Sequence, residues 1–240
     1  MTCSASPPSS LFLVPGPIHP TSPIIDLMTR PRRAPHLESD VRRILESIGP
    51  AAAVGPPTLI LTVGLPGSGK STFCRHLARE IDAAVLESDA LRRRLFGRPT
   101  HLPAESDRLF RAIHAAARRL LAGGASVVID ATNLRETERR PVYALAEEAG
   151  ARLIVLHFTA PEAVIAERLT QRGDGADRAD SSTAGIDVYQ RMTERAEPLP
   201  AGKGEHWRID TSDPQATAAA FRRLVDACLS PQGAGVGAAP

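Results

Sequence analysis

The most constraining feature of this 240-residue chain is the stretch GLPGSGKST, which runs from Gly64 to Thr72. It fits the spacing G-x-x-x-x-G-K-[ST], in which the glycines let the backbone wrap closely around phosphate groups. A β-rich apolar run, TLILTV, comes directly before it, and a helical pattern follows it. Motif and context together predict a phosphate-binding loop between a strand and a helix.

The residues of this loop have distinct predicted roles. Backbone N–H groups and the N-terminus of the following helix favour negative charge. Lys70 can reach the β- and γ-phosphates, and Ser71 can bind Mg²⁺. ATP and Mg²⁺ are therefore the expected cofactors, and the glycine order does not fit the dinucleotide pattern G-x-G-x-x-G. The predicted nucleotide contacts are Gly64, Leu65, Pro66, Gly67, Ser68, Gly69, Lys70, Ser71 and Thr72.

Segments with strand and helix patterns alternate along the rest of the chain. Short β-rich apolar runs predict strands at 58–63, 83–87, 126–130, 152–158 and 206–210. Apolar residues at helical spacing predict helices at 70–82, 91–97, 104–124, near Pro141 to Gly150, 161–172, 186–195 and 214–228. Such alternation implies a mostly parallel sheet covered on both faces. The predicted fold class is α/β, a three-layer P-loop NTPase fold with a mostly parallel five-stranded sheet and a helical lid.

The domain organisation follows from composition. Residues 1–36 are rich in Pro and Ser, and residues 230–240 are rich in Gly and Ala, so both are predicted to be disordered tails. Residues 37–56 read as a short helix and linker, and residues 57–229 as the P-loop domain. No apolar run reaches the ~18–20 residues that cross a bilayer. Three widely spaced cysteines suit a reducing compartment, so a cytoplasmic location without a membrane partner is expected.

Two acidic residues follow predicted strands. Asp130 ends the run SVVID, and the carboxyl ends of parallel strands line the ligand crevice. Asp130 could therefore hold a Mg²⁺-bound water beside Ser71. Alternatively, Asp130, Thr132 or Asn133 could cap the following helix.

The second acidic residue is Asp89, 19 residues after Lys70 and just past the second strand. A carboxylate there can accept the proton of an attacking hydroxyl. Ser88 or Asp89 could instead serve as a helix N-cap. Arg92, one turn further, could orient Asp89 or bind an acceptor phosphate. Glu87 is a weaker rival for the base.

Arginines near a polar loop predict a lid over about residues 168–190. Arg168 and Arg172 lie four residues apart, and the loop GDGADRADSSTAG follows with Arg178. Phosphoryl transfer needs positive charge over the γ-phosphate only during reaction, which a closing lid provides. The alternative is a solvated surface helix. The predicted catalytic set is thus Lys70, Asp89, Arg92, Arg168 and Arg172, with Ser71 and Asp130 as metal ligands.

The chain resembles the small P-loop kinases that are classified with AAA-type ATPases. Four segments together carry this resemblance: GLPGSGKST, ESDALRRRLFG, VVIDATN, and ERLTQR with its loop. This group contains polynucleotide 5′-hydroxyl kinase domains and zeta-toxin-like relatives, and the similarity spans about residues 57–228. The resemblance implies an adenylate-kinase-like core with a lid. In the polynucleotide kinases an Asp after the second strand is followed three residues later by an Arg. Asp89 and Arg92 match that spacing, so the resemblance implies a base and an acceptor-phosphate ligand.

The identity of the phosphate acceptor stays open among three hypotheses. Segment 91–119 carries eight arginines and two acidic residues, a net charge of +6, which favours a nucleic-acid 5′-OH. Aromatic residues make up only 4% of the chain, so stacking platforms for bases are scarce. A small-molecule hydroxyl, on a sugar, nucleotide-sugar or antibiotic, is the first alternative. A nucleotide-binding switch without an acceptor is the second, and Asp89 argues against it.

Overall fold

The computed structural model describes residues 36–49, 57–173 and 186–230. The helices are α1 (Leu37–Ile48), α2 (Lys70–Glu80), α3 (Ser88–Phe96), α4 (Pro103–Ala122), α5 (Glu136–Ala149), α6 (Glu162–Gly173), α7 (Ile186–Thr193) and α8 (Pro214–Leu229). The strands are β1 (Thr58–Val63), β2 (Ala84–Glu87), β3 (Val127–Asp130), β4 (Arg152–Thr159) and β5 (Glu205–Asp210). The predicted tails, residues 50–56 of the linker and the centre of the predicted lid lie outside the described residues.

The five strands form one sheet in the order β2-β3-β1-β4-β5, and each neighbouring pair is parallel. This confirms the predicted α/β fold class with a five-stranded sheet. Because β1 lies between β3 and β4, the loop that follows it is central at the carboxyl edge of the sheet. The crossover from β1 leads to β2 on one side, whereas the crossover from β3 leads to β4 on the other, and such a switch point forms a crevice for a ligand.

Helices cover both faces of the sheet, so all six residues of β1 are buried. Alternate strand residues point to opposite faces and join two separate clusters. Leu59, Leu61 and Val63 pack with residues of α1, α3, α4 and α5. Ile60 packs on the other face with residues of α2 and α8. The result is the three-layer arrangement that the alternation of strands and helices predicts.

Helix α1, which the sequence predicts as a short helix before a linker, packs into this core. Val41 and Ile44 are fully buried in the cluster on the α4 side of the sheet. Asp40 is 1% exposed and accepts two hydrogen bonds from Arg108 of α4, at 2.7 and 2.8 Å. The sequence pattern shows an amphipathic helix but not the surface that covers its apolar face.

No helix within the described ranges has the length and apolar character that a membrane span requires.

Candidate functional site

The phosphate-binding loop adopts a conformation that depends on its glycines. Gly67 and Gly69 have φ values of +82° and +83°, and Gly64 has a φ of +154°. A Cβ atom on Gly64 would lie 2.7 Å from the carbonyl oxygen of Phe158 in β4, a backbone atom that cannot rotate away. The loop therefore lies against the neighbouring strand at a distance that only glycine permits.

Lys70 and Ser68 are the buried polar side chains of this loop. Lys70 is 8% exposed, and its Nζ donates a 2.9 Å hydrogen bond to the carbonyl oxygen of Leu65. Ser68 is 1% exposed, and its hydroxyl has no hydrogen-bond partner among the described residues. Buried polar groups are nearly always satisfied, so this hydroxyl fits a loop that a phosphate oxygen completes.

Asp130 lies at the end of β3, in the strand next to β1, and is 3% exposed. Its Oδ1 lies 3.5 Å from the hydroxyl of Thr62, which also exchanges hydrogen bonds with the backbone of Ala131. Helix α5 begins only at Glu136, with Arg135 as its N-cap. The alternative that Asp130 caps this helix is therefore wrong, and its role as a metal ligand stays a prediction.

The buried thiol of Cys74 shows that the key charges of the site share one neighbourhood. Burial raises the pKa of Cys74 well above 9.0, the negative charge of Asp130 raises it further, and the positive charge of Lys70 lowers it. Glu87 also acts on this thiol. Since such effects fall off with distance, Lys70 and Asp130 both lie near this thiol.

Asp89 lies at the second position of α3, directly beyond the carboxyl end of β2. The helix starts at Ser88, three residues earlier than the pattern predicts, and Glu87 is its N-cap without a side-chain capping bond. The Asp89 carboxylate is half-buried and makes no hydrogen bond or ion pair with any described residue. Glu87, the rival base, pairs with Asp130 in the β2–β3 register.

Arg92 forms its hydrogen bonds with α4 rather than with Asp89. Its guanidinium is 7% exposed, lies 2.6 Å from the Glu105 carboxylate, and also donates to the hydroxyl of Ser106 at 3.2 Å. Burial would raise the pKa of Glu105, but hydrogen bonds from Thr100, Arg92 and the His101 N–H together lower it to about 2. Arg92 thus joins α3 to the first turn of α4, and its role toward an acceptor stays a prediction.

The basic segment 91–119 is less positive in the fold than in the sequence. Four of its eight arginines form ion pairs, two of them with acidic residues of α1: Arg92–Glu105, Arg108–Asp40, Arg118–Glu148 and Arg119–Glu38. The net charge of +6 already counts Glu105, but the other three carboxylates lie outside the segment. These three pairs make the attraction of this surface for a phosphate backbone weaker than the net charge of +6 suggests.

Arg168 of α6 bonds to the phosphate-binding loop rather than extending into solvent. It donates to the carbonyl oxygen of Gly67 at 3.2 Å, and to the hydroxyl and carbonyl oxygens of Thr211 at 2.9 and 2.8 Å. The alternative of a solvated helix is therefore wrong for this residue. The side chain of Arg172 lies outside the described residues, and so do Arg178 and residues 174–185 of the predicted lid.

A cleft of about 560 Å³ opens beside the phosphate-binding loop, between α2, α6 and α8. Its lining combines apolar and aromatic surface with a few polar groups, as ligand sites commonly do. The lining residues are Gly69, Thr72, Phe73, His76, Arg168, Gln171, Thr211, Pro214, Thr217, Ala218 and Phe221. The sequence analysis did not identify α8 or Thr211 as part of this cleft. The order of the strands brings them beside the phosphate-binding loop, and that order cannot be read from the residues around them.

Comparison with known proteins agrees with this geometry. A family model described as AAA domain matches residues 59–199. Uncharacterized proteins of Mycobacterium tuberculosis and Mycobacterium bovis are 30% identical over 173 residues, covering 65% of this chain and 32% of their own length. The chain thus spans about a third of the length of these curated relatives. L-seryl-tRNA(Sec) kinase of Methanococcus maripaludis is 26% identical over 120 residues, covering 48% of this chain and 46% of its own.

Two solved structures illustrate the similarity of fold. A candidate kinase from Chloroflexus aurantiacus matches with a TM-score of 0.57 and 23% identity, covering 70% of this chain and 97% of that one. The APS kinase of Mycobacterium tuberculosis, solved with AMPPNP and APS, matches with a TM-score of 0.53 and 20% identity. That match covers 73% of this chain and 99% of the APS kinase.

Proposed function

The chain belongs to the AAA domain family, and on this premise we propose that it is an ATP-dependent phosphotransferase of the P-loop kinase type. It moves the γ-phosphoryl group of ATP to a hydroxyl of an acceptor. The observation that carries this proposal is the position of Asp89, a carboxylate without a partner among the described residues, at the carboxyl edge that also holds Lys70 and Asp130. A nucleotide switch needs no such carboxylate, whereas a kinase uses it as a base.

Each residue of the site has a role in this reaction. Lys70 and the N-terminus of α2 stabilise the charge of the transferring phosphoryl group. Asp89 accepts the proton of the attacking hydroxyl. The Ser71 hydroxyl and the Asp130 carboxylate are oxygen donors of the type that Mg²⁺ prefers, and they would hold the ion. When bound, Mg²⁺ neutralises phosphate charge.

The cleft between α2, α6 and α8 is the proposed site of the nucleoside part of ATP. It adjoins the phosphate-binding loop through Gly69 and Thr72. The apolar surface of Phe73, Pro214 and Phe221 suits a planar base, and its volume of about 560 Å³ lies within the usual range for small-molecule sites. The APS kinase with the similar fold was solved with AMPPNP, an ATP analogue, which agrees with a nucleotide in this fold.

The pairing of arginines favours a small acceptor over a polynucleotide. Arg92, which the resemblance assigns to an acceptor phosphate, is 93% buried against Glu105, and three further arginines of the segment 91–119 are in ion pairs. A small-molecule hydroxyl is therefore our first candidate, and the APS kinase with the similar fold is named for such a substrate.

A nucleic-acid acceptor is the second candidate, because one observation still supports it. Arg94 and Arg98, at the end of α3 and just beyond it, are exposed. The relative from Methanococcus maripaludis is named for an acceptor carried on tRNA.

We place the activity in the cytoplasm, since Cys74 and Cys228 are free thiols of the kind that a reducing compartment maintains.

Incubation with γ-labelled ATP and a panel of acceptors tests the proposal. The panel contains sugars, aminoglycosides, adenylyl compounds, 5′-OH DNA and 5′-OH RNA, with Lys70→Ala as the inactive control. We expect label transfer to a small hydroxyl compound that depends on Lys70. Transfer to 5′-OH oligonucleotides alone would establish the second candidate. ATP binding without transfer to any acceptor, combined with hydrolysis that is insensitive to Asp89→Asn, would support a switch instead.

A further inference from the structure

The hydroxyl of Thr211 lies where three loops of the carboxyl edge meet. Thr211 follows β5, and its backbone N–H donates to the carbonyl oxygen of Thr159 at the end of β4. Its Oγ1 donates to the carbonyl oxygen of Ser68 in the phosphate-binding loop at 3.0 Å. The same oxygen receives the 2.9 Å hydrogen bond from Arg168 of α6.

The direction of the hydroxyl proton follows from these partners. A guanidinium has only donors, so Oγ1 of Thr211 must accept from Arg168 and turn its own proton elsewhere. Two carbonyl oxygens are near, that of Ser68 at 3.0 Å and that of Thr159 at 3.5 Å. The longer distance lies beyond the normal range for an O–H···O bond, so the proton is directed to Ser68.

This bond sets the plane of the peptide between Ser68 and Gly69. In a trans peptide the C=O and the following N–H point in opposite directions. When Thr211 holds the Ser68 carbonyl, the Gly69 N–H faces away from Thr211, and it donates to no described residue. A Cβ on Gly69 would lie 3.2 Å from Cγ2 of Thr211, so the two residues are already in close contact.

We propose that Thr211 is a positioning residue for the phosphate cradle: its hydroxyl, oriented by Arg168, holds the Ser68–Gly69 peptide so that the Gly69 N–H faces the bound phosphates. The inference rests on the proposed function, because it names a determinant of ATP binding at that site. It also gives Arg168 a role before any phosphoryl transfer. Its guanidinium orients the Thr211 hydroxyl, and that hydroxyl in turn holds the phosphate-binding loop.

Calorimetric binding of inorganic triphosphate, ATP and adenosine tests the proposal. Thr211→Val keeps the methyl contact with Gly69 and removes the hydroxyl, whereas Thr211→Ser keeps the hydroxyl. We expect Thr211→Val to raise Kd for triphosphate and ATP about 3- to 12-fold, the usual effect of one hydrogen bond, and to change Kd for adenosine by less than about twofold. Thr211→Ser should stay within about twofold of wild type. Thr170→Val, on the exposed side of α6, is the matched control.

A purely structural role would give a different result. It would lower the melting temperature of Thr211→Val but leave the ratio of triphosphate to adenosine affinity unchanged, and that result overturns the proposal. Thr211→Ala provides the same comparison if the valine variant does not fold. Wild-type protein that binds neither ATP nor triphosphate overturns the proposed function together with this inference. Wild-type binding that Thr211→Val and Thr211→Ala both retain overturns the inference alone.

Discussion

Replacing Asp89 with Asn separates the catalytic role of this carboxylate from a structural one. The side chain forms no capping bond, because Glu87 is the N-cap of α3, so the 0.5–2 kcal/mol that a cap contributes is not at stake. What remains is the interaction of a first-turn anion with the helix dipole, worth about 0.3–1 kcal/mol. We therefore expect the free energy of unfolding to change by less than about 1 kcal/mol.

The expected effect on the reaction is much larger. General-base catalysis contributes about 10²–10⁴-fold, which corresponds to roughly 3–5 kcal/mol of activation free energy. Transfer at saturating ATP should fall by that factor, while Kd for ATP stays close to the wild-type value. The assay measures kcat with the acceptor that the labelled panel identifies, beside a urea melt of the same preparation. Asp107→Asn, an exposed acidic position on α4, is the matched control.

Two outcomes would contradict this reasoning. Turnover of Asp89→Asn near the wild-type rate would show that Asp89 is not the base, and Glu87→Gln would become the next variant. A loss of stability of several kcal/mol in Asp89→Asn would show that the carboxylate has a structural partner on which the fold depends. Equal losses for Asp107→Asn and Asp89→Asn would point to an effect of net charge rather than of position.

Three further predictions concern the nucleotide, the core and pH. Lys70→Ala should abolish ATP-dependent transfer while circular dichroism shows an intact fold, since Lys70 neutralises phosphate charge; near-wild-type turnover would contradict the cradle. Ile44→Ala should lower the free energy of unfolding by about 2–5 kcal/mol in a single urea transition, because Ile44 is 0% exposed in the shared core. The control Arg42→Ala, at an exposed position, should change it by under about 0.5 kcal/mol. Equal effects of the two variants would show that α1 is not part of that core. Burial, aided by Arg118, lowers the pKa of His114 from 6.5 to about 4, so its contribution to stability is full above pH 6.5 and is lost as pH falls toward 4. In urea melts between pH 7 and 5, the free energy of unfolding of the wild type should fall by about 1–2 kcal/mol more than that of His114→Gln. Equal losses in the two proteins would show that His114 is not the source of this pH dependence.

Local patterns in the sequence predict nearly every helix and strand of the described residues. Gly and Pro residues mark the ends of the segments, as Pro57 and Gly64 do for β1, and within the segments the apolar residues keep a regular spacing. The carboxyl-edge positions of Asp89 and Asp130 follow from the same patterns, because each comes directly after a predicted strand. The strand order is not local information, so the sequence could not place β5 beside β4.

The same limit explains which parts of the site sequence reasoning missed. Thr211 and Ser68 are 143 positions apart, and only the pairing of β4 with β5 brings them together. The ion pair of Arg108 with Asp40 spans 68 positions and depends on α1 covering α4. Counting charges in segment 91–119 treats its arginines as free, whereas folding supplies half of them with carboxylates from other elements.

Hydrogen bonds between loops explain how a glycine-rich segment can hold a defined shape. The Gly64 N–H donates to the carbonyl oxygen of Thr132 at 3.0 Å, which joins the phosphate-binding loop to the loop after β3. Arg168 donates to the carbonyl oxygen of Gly67, and Thr211 donates to that of Ser68. Glycine lowers the energy of unusual backbone angles but raises the entropy lost on ordering, so these bonds stabilise one conformation out of many. A cradle that is ordered by folding does not have to be ordered again by the ligand, and its N–H groups stabilise phosphate charge without reorganisation.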